Sequence, residues 1–247
     1  MNYIIGDIGN TSTRICLLNK SKILKSVVFH TKKIFLRGFV RKIIKKFLIK
    51  NLRKEILFSC VVPKALKNIK KSLKKTNYDV LEIKKFNLKK LIKINIKNLK
   101  QLGSDRIVNS IEGKRFKNCL IIDFGTATTF DIVKNGIYEG GVIAPGIKSS
   151  IKNLSQTTAL LPMFDLRNKQ TSYGKNTKDA LNAGFIWGYD GLINNIIYKI
   201  TRNWKMNYKI ILTGGYANLF KKIIQRASIV DQNITIKGIS KVYSELL

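Results

Sequence analysis

The strongest constraint on this chain is a strand-and-turn motif that occurs twice. Cys119-Leu-Ile-Ile-Asp123-Phe-Gly125-Thr126-Ala-Thr128-Thr129 is an apolar strand ending in Asp-x-Gly-Thr. Tyr3-Ile-Ile-Gly-Asp7-Ile-Gly9-Asn10-Thr11-Ser12-Thr13 aligns with it position by position, with Asp7 over Asp123, Gly9 over Gly125 and Thr13 over Thr129. A glycine there has no Cβ, so the backbone can approach a polyphosphate closely. Its neighbours offer N–H and O–H donors, and the aspartate can hold a cation. One such turn is a weak signal, because Asp-x-Gly closes many ordinary hairpins. Two copies predict a duplicated domain with one phosphate turn from each half. Late in the chain Ile210-Ile-Leu-Thr213-Gly214-Gly215 reads as a strand running into a glycine turn and a helix N-terminus, which suits a nucleotide.

A length of 247 residues with 45% hydrophobic and 9% aromatic content makes the chain globular rather than disordered. Its 47 Lys and Arg against 14 Asp and Glu, a formal charge of +33, would by themselves suggest a nucleic-acid or anionic-membrane partner. The excess is mainly lysine, however, and it travels with abundant Ile and Asn, as an A/T-rich coding sequence produces. The lysines are dispersed and lack interleaved stacking aromatics, so nucleic acid is not expected as a partner. Cys16, Cys60 and Cys119 sit in apolar runs without C-x-x-C spacing, which reads as buried thiols in a reducing compartment. No apolar run approaches the ~18 residues of a membrane span, and the expected location is cytoplasmic.

Along the chain, strands are expected at Arg14 to Leu18 and Ile23 to Phe29, with His30 as a surface or strand-end residue. The apolar set Leu36, Phe39, Val40, Ile43, Ile44, Phe47 and Leu48 predicts an amphipathic helix from 36 to 48. A buried strand from Ile56 to Val62 stops at Pro63, and a short helix follows. At Gly103-Ser104-Asp105-Arg106 a helix begins; the Ser-Asp pair reads either as a cap or as a base beside an anion clamp. The second half continues with a strand from Phe130 to Val133, a hairpin signal at Asn135-Gly136, a helix from Ile147, a polar loop from Thr171 to Asn176, and a long helix from Thr177 to about Ile200. That helix carries Gly184, Gly188 and Gly191 on one stripe, at ~1 kcal/mol of propensity each, which predicts close packing against its own chain or against a second subunit.

The pair of turns followed by Thr213-Gly-Gly is the layout of the sugar kinase, Hsp70 and actin superfold. Within it the chain resembles the type III pantothenate kinase family over nearly its whole length. The resemblance rests on Asp7-Ile-Gly-Asn-Thr11, Ser59-Cys-Val-Val-Pro63, Gly103-Ser-Asp-Arg106, Asp123-Phe-Gly-Thr-Ala-Thr128, Gly140-Gly-Val-Ile-Ala-Pro-Gly146, Ala159-Leu-Leu-Pro162, Asn176-Thr177 and Thr213-Gly-Gly-Tyr-Ala217. It implies an α/β fold of two related ribonuclease H-like domains, 1–114 and 115–247, with a nucleotide cleft between them. It further implies ATP-dependent phosphorylation of pantothenate, the first step of coenzyme A synthesis, by a homodimer. Asp105 would be the catalytic base. Asp7, Ile8, Gly9, Asn10, Thr11, Ser12, Thr13 and Arg14 would bind ATP together with Thr126, Gly214 and Gly215. Gly103, Ser104, Asp105, Arg106 and Thr177 would bind pantothenate. Asp7 would lie near Mg²⁺, and Asp123 would bind a monovalent cation, K⁺ or NH₄⁺. One departure is visible: where the family usually has a Tyr and a Pro ahead of the Gly-x-Asp-Arg motif, this chain has Ile96 and Leu99. Some relatives were named for an accessory role in transcription, so a nucleic-acid-binding or transcription accessory protein on the same fold is the alternative.

Overall fold

The computed structural model describes residues 1–167 and 172–247; Thr171, the first residue of the expected polar loop, lies outside them. In chain order the elements are β1 (Asn2–Ile8), β2 (Ser12–Asn19), β3 (Lys22–His30), α1 (Phe39–Lys45), β4 (Leu52–Cys60), α2 (Pro63–Leu73), β5 (Asp79–Glu82), β6 (Lys93–Ile94) and α3 (Ser104–Gly113). They continue with β7 (Cys119–Phe124), β8 (Ala127–Lys134), β9 (Ile137–Pro145), α4 (Ile147–Thr157), α5 (Thr177–Thr201), β10 (Lys209–Gly214), α6 (Ala217–Lys221), β11 (Ser228–Val230) and α7 (Ile234–Leu246). The chain divides into two compact units. The first comprises Met1–Arg115, Asn135–Gly140 and Asn233–Leu247; the second comprises Phe116–Lys134 and Gly141–Gln232.

The first unit is built on a sheet of order β3-β2-β1-β4-β5. β1 pairs antiparallel with β2 and parallel with β4. Because successive strand residues point to opposite faces, β1 feeds two cores. Tyr3 and Ile5 join Leu57 under α3 and α7, while Ile4 and Ile8 join Ile56 and Phe58 under α1 and α2. The first core is completed by Ile107, Val108 and Ile111 from α3 and by Ile236, Ile239, Val242 and Tyr243 from α7. Tyr3 and Tyr243 stack with ring centroids 4.2 Å apart. Thr235 Oγ1 donates to Asn109 Oδ1 at 2.8 Å, and Lys241 Nζ pairs with the buried Glu112 at 3.0 Å, so α7 is fastened along the length of α3.

α1 is shorter than the periodicity predicts. Gly38 has φ of +74°, a left-handed conformation that begins the helix only at Phe39. Val40, Ile43, Ile44 and Phe47 are buried as the pattern requires, whereas Leu36 and Leu48 at its two ends are exposed. β4 ends at Cys60, two residues before the expected stop, and Pro63 opens α2, where its missing N–H costs nothing. His30 is the residue at the end of β3, its Nδ1 accepting from Lys32 N–H at 3.3 Å.

In the second unit β7 is flanked by antiparallel β8 and parallel β10, and β11 extends β10 in parallel. Asn135 and Gly136 have φ of +52° and +73°, the left-handed pair that a type I′ hairpin turn demands. β9 starts in the first unit, where Ile137 and Tyr138 pair with β6, and ends in the second. Ile147 and Ile151 of α4, Ile193 and Ile197 of α5, and Phe220 of α6 pack on Leu120, Ile122 and Leu212.

Candidate functional site

In the first unit the β1–β2 turn and the start of α3 carry the candidate residues. Gly9 N–H donates to Ser12 O at 3.0 Å, closing the turn and leaving Asn10, Thr11 and Ser12 exposed. Ile8 and Thr13 face inward; the Thr13 hydroxyl bonds Thr31 Oγ1 at 3.0 Å, and Thr31 in turn donates to Gly9 O at 2.6 Å. Asp7 and Arg14 are register partners across the hairpin. Asp7 is half-buried, and desolvation pushes its carboxyl up to about 7. Repulsion from Asp105 adds to the rise, and a hydrogen bond from Ser59 and the charge of Arg14 oppose it.

Gly103 caps α3 without a side-chain bond, and a Cβ there would crowd the Asp105 carboxylate and turn it from this position. Ser104 is fully buried. Its hydroxyl donates to Cys60 O and accepts from Cys60 N–H, both at 2.8 Å, so it ties the first turn of α3 to β4 instead of capping the helix. Asp105 accepts from Arg106 N–H at 2.8 Å. Burial raises its pKa, while Arg106 and Lys84 pull it down. A carboxyl held above the usual range beside a guanidinium is suited to accept a proton from a hydroxyl near an anion.

In the second unit Asp123 is the last residue but one of β7, with Thr129 beside it on β8 and Thr213 beside it on β10. Gly214 has φ of +85°, and a Cβ on it would lie 2.6 Å from both Asp123 Oδ1 and Phe124 O. Gly215 N–H donates to Phe124 O at 3.1 Å. A Cβ on Gly146 would overlap the carbonyl oxygen of Thr126, and that oxygen accepts from Ser149 Oγ at 2.9 Å. The Thr128 hydroxyl is spent inward on Pro145 O at 3.0 Å. Gly214 therefore brings bare backbone to the aspartate where a side chain would intrude, and Gly146 brings it to the turn at Gly125 and Thr126.

Thr177 opens α5, whose N-cap Asn176 accepts from Asp179 N–H at 3.0 Å. It lies on an apolar groove of about 620 Å³ lined also by Leu181, Gly184, Gly188, Tyr189 and Leu192. Among the described residues, a Cβ at Gly184, Gly188 or Gly191 would meet nothing within 4 Å. Among the described residues nothing packs on the glycine stripe, so no contact shown within the chain accounts for it. Ser59 stands in the sequence as the first residue of the Ser59-Cys-Val-Val-Pro63 motif with no role attached, and nothing in the sequence singles out Tyr189, whose hydroxyl lies 2.9 Å from Ser150 Oγ.

Two α/β units with Asp-x-Gly turns at strand ends define the fold of the sugar kinase, Hsp70 and actin superfold. The fold is shared with a ROK hexokinase from Thermus thermophilus, at a TM-score of 0.56 and 10% identity with all of both chains covered. It is shared too with a protein from Campylobacter jejuni described as a Baf family transcriptional activator, at a TM-score of 0.64 and 23% identity over 98% of each chain. A sequence model of the type III pantothenate kinases matches residues 3–199. A type III pantothenate kinase of Pelagibacter ubique is 45% identical over 240 residues, 96% of each chain. The chain belongs to the type III pantothenate kinase family.

Proposed function

We propose that this protein transfers the γ-phosphoryl group of ATP to the primary hydroxyl of pantothenate, giving 4′-phosphopantothenate for coenzyme A synthesis. The observation that carries the reading is the meeting of two motifs within one unit: Ser59, the β4 register partner of Asp7, donates to the hydroxyl of Ser104 at 3.3 Å, and Ser104 is the residue before Asp105 at the start of α3. A base and a polyphosphate turn brought together are what phosphoryl transfer to an alcohol needs.

Asp105 takes the proton of the attacking hydroxyl, and the Arg106 guanidinium beside it neutralises developing charge. We assign pantothenate contacts to Gly103 and the main chain through Arg106 in the first unit and to Thr177 in the second; the Ser104 side chain is turned into β4. The exposed turn 9–12, flanked by Asp7 and Arg14, holds ATP phosphates; Thr126, Gly214 and Gly215 are the ATP contacts from the second unit. Mg²⁺ supplies charge neutralisation on the phosphates when bound. Among the described residues no group of three or more His, Cys, Asp or Glu is placed to hold a metal. A single carboxylate such as Asp7 fits this ion, which is commonly held by one or two carboxylates plus substrate phosphates. Asp123, beside which Gly214 leaves the space that a side chain would take, is the ligand we assign to K⁺ or NH₄⁺. The open apolar groove along α5 supports a homodimer. No helix among the described residues is long and apolar enough to cross a membrane, in keeping with the cytoplasmic location that we assign.

The test is ADP formation by purified protein with ATP, Mg²⁺, K⁺ and pantothenate, with the product identified by mass. Turnover that depends on pantothenate supports the reading. Absence of turnover together with salt-dependent DNA binding would replace it with the nucleic-acid alternative.

A further inference from the structure

In the second unit Gly125 and Thr126 form an exposed turn between β7 and β8, and the corner where β9 passes into α4 lies against it. A Cβ on Gly146 would overlap the Thr126 carbonyl oxygen, and Ser149 gives its hydroxyl proton to that same oxygen at 2.9 Å. The Thr128 hydroxyl, at the far side of the turn, donates to Pro145 O at 3.0 Å. The chain from 145 to 149 is thus the bed on which the turn rests. Pro145 has no N–H, and neither it nor Gly146 has a polar side chain, so the corner is held in large part by what donates to its carbonyls.

The Pro145 carbonyl oxygen has two lone pairs and two side-chain donors. One is Thr128, from the hairpin of the turn itself; the other is the Tyr189 hydroxyl at 3.2 Å, from the middle of α5. A phenol has a single proton. With that proton given to Pro145, the 2.9 Å contact between the Tyr189 hydroxyl and Ser150 Oγ is a donation by Ser150, which points the phenol at the corner. The ring is held as well: it is buried, stacked on Phe185 with centroids 6.0 Å apart, and tilted against Phe220 at 6.3 Å. Contacts therefore run without a break from the 25-residue helix α5 through Pro145 and Gly146 to Thr126.

Resting on the assignment of Thr126 as an ATP contact, we propose that Tyr189 is a positioning residue for the nucleotide: its hydroxyl holds the corner at Pro145 and Gly146, and the corner sets where Thr126 meets ATP. Tyr189 touches no reacting atom and acts only through that turn. Its ring also lines the apolar groove along α5 that includes Thr177, so a direct contact with pantothenate is the rival role that the experiment must separate.

The experiment is calorimetric titration of the intact protein with a non-hydrolysable ATP analogue and Mg²⁺, beside steady-state kinetics with pantothenate. Tyr189→Phe keeps the ring and removes the hydroxyl. It is expected to weaken binding of the analogue about fivefold, the effect of losing one buried hydrogen bond, with KM for pantothenate changed less than about twofold. Thr128→Val removes the other donor to Pro145 O and is expected to weaken binding in the same way. In a Thr126→Ala background Tyr189→Phe is expected to cost nothing further, because the contact it positions has gone. Equal losses in both backgrounds would mark general packing and overturn the proposal, as would a loss in Tyr189→Phe that Thr128→Val does not share. Parental affinity in Tyr189→Phe with a raised KM for pantothenate would make Tyr189 a substrate contact and overturn it too. If Thr126→Ala itself binds the analogue as the parent does, the assignment of Thr126 falls, and that of Tyr189 with it, while pantothenate-dependent ADP formation still tests the kinase reading separately.

Discussion

Gly238 of α7 lies against the main chain of Val108 in α3, so closely that a Cβ at position 238 would overlap the Val108 carbonyl oxygen. Val108 is three residues from Asp105, so the closeness of this helix pair bears on where the base sits. Gly238→Ala gains up to ~1 kcal/mol of helix propensity. It must also push two backbones apart in a packed core, and overpacking of this kind costs about 1–3 kcal/mol. The net expectation is a lower denaturation midpoint together with a lower kcat. A Gly238→Ala protein with parental stability and turnover would contradict the close packing.

Asp105→Asn keeps the shape of the base and removes its ability to accept a proton. The pantothenate hydroxyl is not ionised near neutral pH, so kcat is expected to fall ~10²-fold or more with the melting profile retained. Near-full turnover would remove Asp105 from the mechanism.

Burial first, and then the charge of Asp105, raises the Asp7 carboxyl to about 7. A raised carboxyl pKa means that the folded protein holds a proton that the unfolded chain has already released. Its contribution to stability is therefore complete below about pH 4 and is lost as pH rises through about 7. Without metal or nucleotide, Asp7→Asn should melt above the parent at about pH 8 and approach it in acid. A gap of constant size across this window would show that Asp7 titrates normally.

Among the described residues of the single chain, Gly184, Gly188 and Gly191 have room for side chains. If a second copy covers that groove through a two-fold contact, sedimentation at physiological salt gives roughly twice 28.1 kDa. Gly188→Leu is then expected to fold normally and sediment as a monomer. A fully active monomeric parent would exclude the dimer.

Asp7 and Asp123 occupy equivalent turns yet are assigned different cations. Replacing K⁺ by Na⁺ should lower activity in the parent, and Asp123→Ala should abolish that difference. An unchanged K⁺ response in the variant would locate the monovalent ion elsewhere.

The local signals that carried through are those in which chemistry and position coincide. Glycine and hydroxyl residues after an apolar strand read as turns at Asp7 and Asp123 because a strand end cannot otherwise reverse. Asn135-Gly136 read as a hairpin because both residues tolerate positive φ. The interior of α1 was legible from its period, but its ends were not: Leu36 and Leu48 continue the apolar spacing while lying exposed, and Gly38 starts the helix by its conformation alone.

By itself, the order of residues determined the duplicated turns, the α/β alternation and the catalytic family, because each is written in short segments whose chemistry is local. Tertiary structure alone decided that α7, the last helix in the chain, returns to the first unit to pack on α3, and that the Ser104 hydroxyl bonds Cys60 instead of capping its helix. It also decided that Ser59 lies beside Asp7 and that, among the described residues, nothing packs on the glycine stripe of α5. These are contacts between residues distant in the chain. They are set by strand register and helix packing, which no local pattern of side chains encodes.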